Sequence, residues 1–179
     1  FDFSFWSCHN DAESTSSIQR LATNESVWKM VGANVVQQAV GSFDVSLFAY
    51  GQTGSGKTHT MFGNEVEPGI IYLTCRELFR QLSANREQRQ IDFSIEVSML
   101  EVYNEKVRDL FDYDEATNTC AEKIVQEDKR GNTKVKGLTL IPVKTWEDIE
   151  AAISKAYDKR AVSGTAMNSQ SSRSHCVSF

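Results

Sequence analysis

The sequence predicts an α/β fold in which a central, mostly parallel or mixed sheet is flanked by helices. Two observations carry this prediction. An apolar run at 43–50 leads directly into a glycine-rich stretch at 51–58, as a buried strand leads into a loop and a helix. Further along, strand-like alternation at 91–103 is followed by helical spacing at 149–157. Such a sheet binds its ligand at the carboxyl ends of its strands.

The composition is that of a globular domain. The chain has 179 residues, of which 40% are hydrophobic and 24% charged, enough for one domain with a sizeable core. A net charge of −5 argues against general nucleic-acid binding, because phosphate neutralisation needs clustered Lys and Arg. No apolar run approaches the roughly 20 residues that cross a bilayer. The 4 cysteines lack metal-ligand spacing, which predicts free thiols in a reducing compartment; they are Cys8, Cys75, Cys120 and Cys176.

Both ends of the chain are strand-like. The chain begins on alternating aromatic residues at 1–6 and stops at 176–179 without a polar tail. We therefore expect a piece of a longer chain that is incomplete at both ends.

The first predicted helix follows a polar stretch at 8–24. Valines at four-residue steps predict a helix over about 25–40. Asn24 is its expected N-cap, and Gly41 is its expected end. Asn24 also begins a glycosylation sequon, for which a helix start is the preferred interpretation.

A strand over 43–50 is expected to lead into the glycine-rich loop. The helix that begins near Lys57 is interrupted at 63–69, where glycine and proline cannot sustain it. It resumes from Ile70 to about Asn85.

Three further elements are predicted in the second half. Alternating apolar residues predict one long strand over 91–103, and 122–143 predicts a β-hairpin with its turn at 128–132. Residues 145–148 resemble a capping box with Asp in the last place, which begins a helix. One face of that helix is apolar, formed by Ile149, Ala152, Ile153, Ala156 and Tyr157.

The stretch at 51–58 is a complete G-x-x-x-x-G-K-[ST] motif. Its members are Gly51, Gln52, Thr53, Gly54, Ser55, Gly56, Lys57 and Thr58. The glycines let backbone N–H groups curl around phosphate oxygens without Cβ clashes. Lys57 can reach the β- and γ-phosphates, and the Thr58 hydroxyl is placed to ligate Mg²⁺. The motif predicts that the chain binds a nucleoside triphosphate or descends from a domain that did.

A second group of polar side chains lies at 168–175. It combines hydroxyl, carboxamide, guanidinium and imidazole groups in one short stretch. One interpretation is a solvated Ser-rich loop. The other is a switch loop whose hydroxyls sense a γ-phosphate and complete the Mg²⁺ coordination. The phosphate loop elsewhere in the chain gives weight to the second interpretation.

Three stretches resemble the kinesin motor domain. Residues 48–61 are similar to the kinesin phosphate loop and its flanks, and 168–175 is similar to the kinesin first switch, N-x-x-S-S-R-S-H. Residues 101–111 resemble the kinesin strand that carries the E-[IV]-Y-N-E pattern. Myosins share the N-x-x-S-S-R stem but lack Gln-Thr in the loop and Ser-His in the switch. The chain is identified as part of a kinesin motor domain over 1–179, and its opening at 5–7 is similar to the third kinesin subfamily.

The resemblance implies that residues 51–58 hold ATP. Lys57 would contact the β- and γ-phosphates, and Thr58 would ligate Mg²⁺. The residue that matches His59 lies against the adenine in kinesins, and a neutral, partly buried structural histidine is the alternative.

The resemblance also implies roles within the first switch. Ser172 would be the second protein contact of the Mg²⁺ shell, through its hydroxyl or its backbone, while Asn168 and Ser171 would lie near the γ-phosphate. Arg173 would pair with a glutamate of the second switch and close the site around the attacking water. His175 would pack or hydrogen-bond structurally rather than act as a base.

The second switch, D-x-x-G-x-E in kinesins, is not found. Residues 128–131 match D-x-x-G, but no apolar strand precedes them and hairpin chemistry accounts for them. The resemblance implies that the second switch, the filament-binding helix and the neck linker follow Phe179. We expect residues 1–179 alone neither to hydrolyse ATP efficiently nor to fold stably.

The resemblance implies a microtubule motor driven by ATP hydrolysis, in the cytoplasm and on the cytoskeleton, with any dimerisation through segments outside this chain. Two alternatives stay open: a kinesin-like protein that binds microtubules without hydrolysis, and another phosphate-loop enzyme such as a nucleotide kinase. Basic residues around the hairpin are either filament contacts or a solvated turn; they are Lys123, Lys129, Arg130, Lys134 and Lys136.

Overall fold

A computed structural model describes Phe5 and residues 22–89, 92–165 and 174–179. The chain divides into two compact units, a first unit of Phe1–Ile91 and a second unit of Asp92–Phe179. The helices of the first unit are α1 (Asn24–Val27), α2 (Ala33–Val40), α3 (Lys57–Phe62) and α4 (Ile70–Arg89), with a π-helical turn at Trp28–Gly32. The second unit contains β1 (Ile95–Val97), β2 (Met99–Tyr103), β3 (Lys106–Asp114), β4 (Thr119–Glu127), β5 (Thr133–Lys136), β6 (Ile141–Val143), α5 (Trp146–Thr165) and β7 (His175–Ser178).

The N-cap of the first helical stretch lies one residue earlier than predicted. Thr23 is the N-cap, because its side chain accepts a hydrogen bond from the backbone N–H of Ser26. The Ser26 hydroxyl accepts from the backbone N–H of Thr23, which completes a capping box. The prediction of Asn24 as N-cap is therefore wrong, because Asn24 is the first helical residue and is buried. The predicted end at Gly41 is confirmed.

A π-helical turn separates α1 from α2, and glycine makes it possible. A Cβ at Gly32 would lie 2.2 Å from Cδ1 of Trp28, so only glycine leaves room for the indole. The indole Nε1 then donates to the hydroxyl of Thr74 at 3.2 Å, which joins this turn to α4. The side chains packed in this first unit include Val36, Ile70, Leu73 and Phe79.

The predicted buried strand at 43–50 is not formed. These residues pair with no strand in the part of the chain that the structure describes, and Phe48 and Tyr50 are 84% and 96% exposed. An apolar run becomes a strand only where a ladder partner satisfies its backbone groups. Without that partner the run forms no regular element and stays largely exposed.

The helix break at 63–69 is confirmed. Helix α3 ends at Phe62, the chain forms an isolated bridge between Gly63 and Pro68, and α4 begins at Ile70. The second part of the helix runs to Arg89 rather than about Asn85.

The second unit contains two sheets. The larger has the strand order β5-β4-β3-β2-β7, and the smaller pairs β1 with β6. Every ladder between the described strands is antiparallel, so the predicted mostly parallel sheet is not found there. The α/β class holds, because α5 packs its buried residues against strands.

The long strand predicted over 91–103 is divided at Ser98. Strand β1 before it pairs with β6, whereas β2 after it pairs with β3 and β7. The backbone of Ser98 exchanges two hydrogen bonds with Phe179, of 3.2 and 2.9 Å. The alternation continues through this point, so the sequence pattern alone does not show that the chain changes sheets.

The hairpin turn at 128–132 is confirmed. Strands β4 and β5 flank it, and the carboxylate of Asp128 accepts from the backbone N–H groups of Arg130 and Asn132 at 2.7 and 2.9 Å. The predicted hairpin extended to residue 143, but β6 pairs with β1 instead. Strand β3 was not predicted.

Helix α5 begins with the predicted capping box. The backbone N–H of Asp148 donates to the Thr145 hydroxyl at 3.2 Å, and the Asp148 carboxylate accepts from the Thr145 N–H at 3.0 Å. Its predicted apolar face is the buried one at Ile149, Ile153 and Ala156. This face forms the core of the second unit with residues such as Met99 and Leu110.

Three cysteines lie in the described ranges, and all are free thiols: Cys75, Cys120 and Cys176. Burial raises the pKa of the Cys75 and Cys176 thiols to about 11. Among the residues described, no helix combines the length and apolar character of a membrane span, and no His, Cys, Asp or Glu cluster could hold a metal ion. Cys8 lies outside the described residues.

Candidate functional site

The glycine-rich loop has the backbone shape that its glycines predict. Gly54 and Gly56 have φ angles of 80° and 86°, in the left-handed region where a Cβ is strained. No atom lies within 4 Å of a Cβ built on either residue, so the requirement is conformational rather than steric. The loop then passes into α3, with Gly56 at its N-cap position. Residues 51–56 are exposed, so their backbone groups are open to a ligand.

Lys57 holds the two ends of the loop together. Its ammonium donates to the backbone carbonyl of Gly51 at 2.7 Å and to that of Gln52 at 2.6 Å. A third bond, from the N–H of Ser55 to the carbonyl of Gln52, closes the turn at 3.2 Å. The positive charge therefore lies at the start of the loop, beside the carbonyls of Gly51 and Gln52.

The loop fits a triphosphate with a bound cation. An exposed backbone, two glycines with positive φ and one ammonium are the features that a phosphate-binding loop requires. Thr58 follows in the first turn of α3 and is exposed, so its hydroxyl can reach a hard cation held by those oxygens. Gln52, Thr53 and Ser55 complete the predicted set within this loop.

His59 is held by the interrupted segment at 63–69. Its Nε2 lies 3.5 Å from Oε2 of Glu67, and its side chain is 47% exposed. The other carboxylate oxygen of Glu67 accepts from the backbone N–H of Asn24. A half-exposed ring leaves both predicted roles open, stacking on a base or a structural histidine.

Asn24 links three segments around this histidine. Its side-chain amide donates to the carbonyls of His59 and Pro68, at 2.9 and 3.4 Å, and it is only 5% exposed. Asn24 and Glu67 were missed as site residues. Their positions flank predicted breaks, but no local spacing shows that they meet, because they lie 43 residues apart.

Replacement of Asn24 by alanine is expected to destabilise the protein by about 1–3 kcal/mol, because it leaves two partly buried carbonyls without their amide donor. Urea denaturation measures this loss. The control is Asn34→Ala on the exposed side of α2, which is expected to change stability by less than about 0.5 kcal/mol. Equal effects of the two substitutions would contradict the assigned role.

The second predicted group of site residues is only partly described. Asn168, Ser171, Ser172 and Arg173 lie outside the described residues. The described part begins at Ser174 and continues into β7, where His175 pairs with Val102 of β2. His175 is exposed, in a strand position that suits the predicted structural role.

Two charged residues that were not predicted as site residues meet Ser174. Arg160 of α5 and Glu101 of β2 form a buried ion pair, with Nε 3.2 Å from Oε1, and both contact the Ser174 hydroxyl. Glu101 begins the stretch that resembles the kinesin strand, which was the available signal. Arg160 had none.

Comparison with known proteins identifies the family. A family model described as the kinesin motor domain matches residues 7–179. The chain is 38% identical to the human kinesin-like protein KIF13B over 177 residues, and 36% identical to human KIF14 over 181 residues. Each alignment covers 99% of this chain, but only 9% and 10% of the respective relative.

A solved structure agrees with these sequence matches. It is KIF14 in a dimeric, two-heads-bound state with AMP-PNP in complex with a microtubule; the TM-score is 0.78 and the identity 35%. The match covers 88% of this chain and 43% of that one. The chain thus spans a small part of its curated relatives and under half of a solved motor. From the phosphate loop, the matched range and this structural likeness, we conclude that the chain belongs to the kinesin motor-domain family.

Proposed function

We propose that this chain provides the ATP-binding part of a motor that couples ATP hydrolysis to movement along microtubules. The observation that carries the proposal is the glycine-rich loop, in which Gly54 and Gly56 have positive φ angles and the Lys57 ammonium reaches back to the start of the loop. Within this family, that loop is the triphosphate site. The KIF14 structure supports the choice of ligand and partner, since it was solved with AMP-PNP and a microtubule.

Each residue of the loop has a defined task in this proposal. Backbone N–H groups of 51–56 bind phosphate oxygens, and that of Ser55 must first leave the carbonyl of Gln52. Lys57 exchanges its two carbonyl partners for the β- and γ-phosphates. The Thr58 hydroxyl holds Mg²⁺, which supplies charge neutralisation at the phosphates when bound. His59, positioned by Glu67, lies against the adenine.

The first switch completes the catalytic set. By family resemblance, Asn168 and Ser171 lie near the γ-phosphate, Ser172 contributes to the Mg²⁺ shell, and Arg173 pairs with a glutamate of the second switch. We propose that residues 1–179 carry the phosphate loop and the first switch of the motor domain, while the second switch and neck belong to sequence that is not included in this chain.

The hairpin of β4 and β5 is the proposed filament contact in this chain. Lys134 and Lys136 are exposed on β5, and the neighbouring apolar residues Ile124 and Val125 are 67% and 49% exposed. Lys123 does not belong to this surface, because its side chain is only 14% exposed and contacts Asp109 and Asp112. A solvated turn is the alternative for the basic residues at the hairpin. Microtubule binding would place the protein on the cytoskeleton, in the cytoplasm.

The alternative function is a kinesin-like protein that binds microtubules without hydrolysing ATP. The ordered loop and the position of Lys57 favour an active motor, because a pure binding protein needs neither. A nucleotide kinase is set aside, because the kinesin family model extends over residues 7–179.

The test is ATP turnover by the complete protein that carries this chain, with and without microtubules. We expect microtubules to raise the turnover, and cosedimentation to be stronger with AMP-PNP than with ADP. Cosedimentation without any ATP turnover would favour the non-hydrolysing alternative. Failure both to turn over ATP and to cosediment would reject the proposed function.

A further inference from the structure

A buried ion pair joins β2 to α5. The Nε of Arg160 donates to Oε1 of Glu101 at 3.2 Å, and each side chain is 9% exposed. Removing both charges from water offsets much of their attraction, so such a pair is weak evidence for stability alone. The two charged groups also bind a third residue, which explains their arrangement better than stability does.

The third member of this group is Ser174. Its hydroxyl donates to Oε1 of Glu101 and accepts from Nη2 of Arg160 at 3.1 Å. One hydroxyl thus bridges a carboxylate and a guanidinium, and hydrogen bonds to charged partners are about twice as strong as neutral ones. The Ser174 hydroxyl therefore has a defined partner both as donor and as acceptor.

Arg160 and Ser174 lie on either side of the proposed first switch in the chain. Arg160 lies in the last part of α5, which ends at Thr165, and Ser174 directly precedes β7. The residues that lead into the first switch and those that leave it are therefore attached to the same carboxylate, that of Glu101. The sequence between these two attachments carries all the proposed switch residues: Asn168, Ser171, Ser172 and Arg173.

The β-ladder does not duplicate this attachment. Strand β7 pairs with β2 from His175, opposite Val102, to Ser178, opposite Met99. Ser174 lies just outside the ladder, so its hydroxyl contacts fix it where the backbone pairing ends. Because Ser174 follows Arg173 directly, a displacement here is passed to the switch through the covalent chain.

We propose that Glu101 and Arg160 are positioning residues for ATP hydrolysis: by holding the Ser174 hydroxyl, they set the position of the first switch. The inference rests on the proposed function of the chain. It assigns a task to the glutamate of the E-V-Y-N-E stretch, to Arg160 and to Ser174. None of the three contacts the nucleotide in this proposal; they act through the residues between them.

The test compares Ser174→Ala with Ser174→Thr in the complete motor protein. We expect Ser174→Ala to lower the microtubule-stimulated kcat about tenfold, because small misplacements of reacting groups carry losses of up to about 100-fold. KM for ATP and the melting temperature should stay close to those of the unmodified protein, since the phosphate loop and the ion pair are intact. Ser174→Thr retains a hydroxyl and is expected to restore most of kcat. The matched control, Ser178→Ala at the other end of β7, should leave kcat unchanged.

A double substitution tests whether the residues act as one group. Arg160→Lys keeps a positive charge beside Glu101, but its single nitrogen cannot replace both Nε, which bonds Glu101, and Nη2, which bonds Ser174. We expect the variant that combines Arg160→Lys with Ser174→Ala to show a fold-loss of kcat no more than about twice that of either single variant. The reason is that the effects of residues that act together are non-additive. Losses that multiply would contradict a shared attachment.

Three further results would overturn the inference. One is a Ser174→Ala protein with the kcat of the unmodified protein. Another is a Ser174→Thr protein as impaired as Ser174→Ala. The third is a loss of kcat that is matched by weaker ATP binding and a lower melting temperature, as a merely structural role requires. Failure of the unmodified protein to turn over ATP rejects the proposed function and, with it, this inference; an active unmodified protein with an equally active Ser174→Ala variant rejects the inference alone.

Discussion

Replacement of Lys57 by alanine is expected to lower kcat for ATP about 10²–10³-fold, the range found when one preorganised stabilising group is removed from a catalytic site. The ammonium is the positive charge of the loop, and its bonds to the carbonyls of Gly51 and Gln52 also hold the loop ends together. Alanine removes both contributions. Steady-state turnover and binding of a fluorescent ATP analogue by the complete protein measure them separately.

The control for this prediction is Lys29→Ala. Lys29 pairs with Glu25 at 2.9 Å, with both side chains more than half exposed, so its loss should leave turnover and ATP binding unchanged. Lys57→Arg is expected to fail as well, because the planar guanidinium is bulkier than the ammonium and cannot occupy the same point between the two carbonyls. A Lys57→Ala protein with ordinary turnover would exclude the phosphate loop as the ATP site.

Replacement of Asp109 by alanine is expected to destabilise the protein by about 3–5 kcal/mol, the range for breaking a buried charged group away from its partners. The Asp109 side chain is fully buried. Its two oxygens accept from the backbone N–H groups of Phe111 and Thr139 at 3.0 and 2.8 Å, and Lys123 lies 3.6 Å away. Alanine leaves two N–H groups and one cation without their carboxylate. Urea denaturation measures the free energy of unfolding.

Asp112 is the matched control, because it shares Lys123. Its carboxylate lies 2.8 Å from the Lys123 ammonium but is 51% exposed, so Asp112→Ala is expected to lose less than about 1 kcal/mol. Similar losses for the two aspartates would show that burial of Asp109 does not determine the effect.

This group also predicts how stability depends on pH in the alkaline range. The hydrogen bond to Asp112, with the charges of Asp112 and Asp109, raises the pKa of Lys123 above its ordinary value of 10.5. A group whose pKa is raised by folding binds its proton more tightly in the folded state. Its stabilising contribution is therefore complete below pH 10.5 and is lost as the pH rises through the raised value.

The sequence predicted those parts of the fold that depend on neighbouring residues. The helix end at Gly41, the helix break at 63–69, the turn at 128–132 and the capping box at 145–148 all arise where a side chain or a glycine satisfies nearby backbone groups. Such hydrogen bonds join residues that are close in the sequence, so the local sequence is enough to predict them. Thr23 replaced Asn24 as the cap because both side chains suit that role and only one position starts the helix.

The parts that failed depend on distant partners. The run at 43–50 has the composition of a buried strand, but a strand also requires a ladder, and none is formed in the described ranges. The change of sheet at Ser98 depends on pairing with β6, β3 and β7, which the alternation of apolar residues does not encode. Pairing partners are a property of the whole fold.

The candidate site shows the same division. The backbone shape of the loop at 51–58 could be predicted, because it depends on consecutive residues in which glycines take positive φ angles. Arg160 and Glu101 could not be paired from the sequence, because 59 residues separate them, and Ser174 lies 73 residues from Glu101. The resemblance marked the stretch that contains Glu101, but only the structure shows its partners.

The raised pKa of two thiols has a practical consequence for labelling. With a pKa of about 11, the thiols of Cys75 and Cys176 stay protonated near neutral pH, and the thiolate is the form that alkylating agents and peroxide attack. A fluorophore directed to an exposed, introduced cysteine would therefore react long before either. Such labelling does not require replacement of Cys176, which lies in β7.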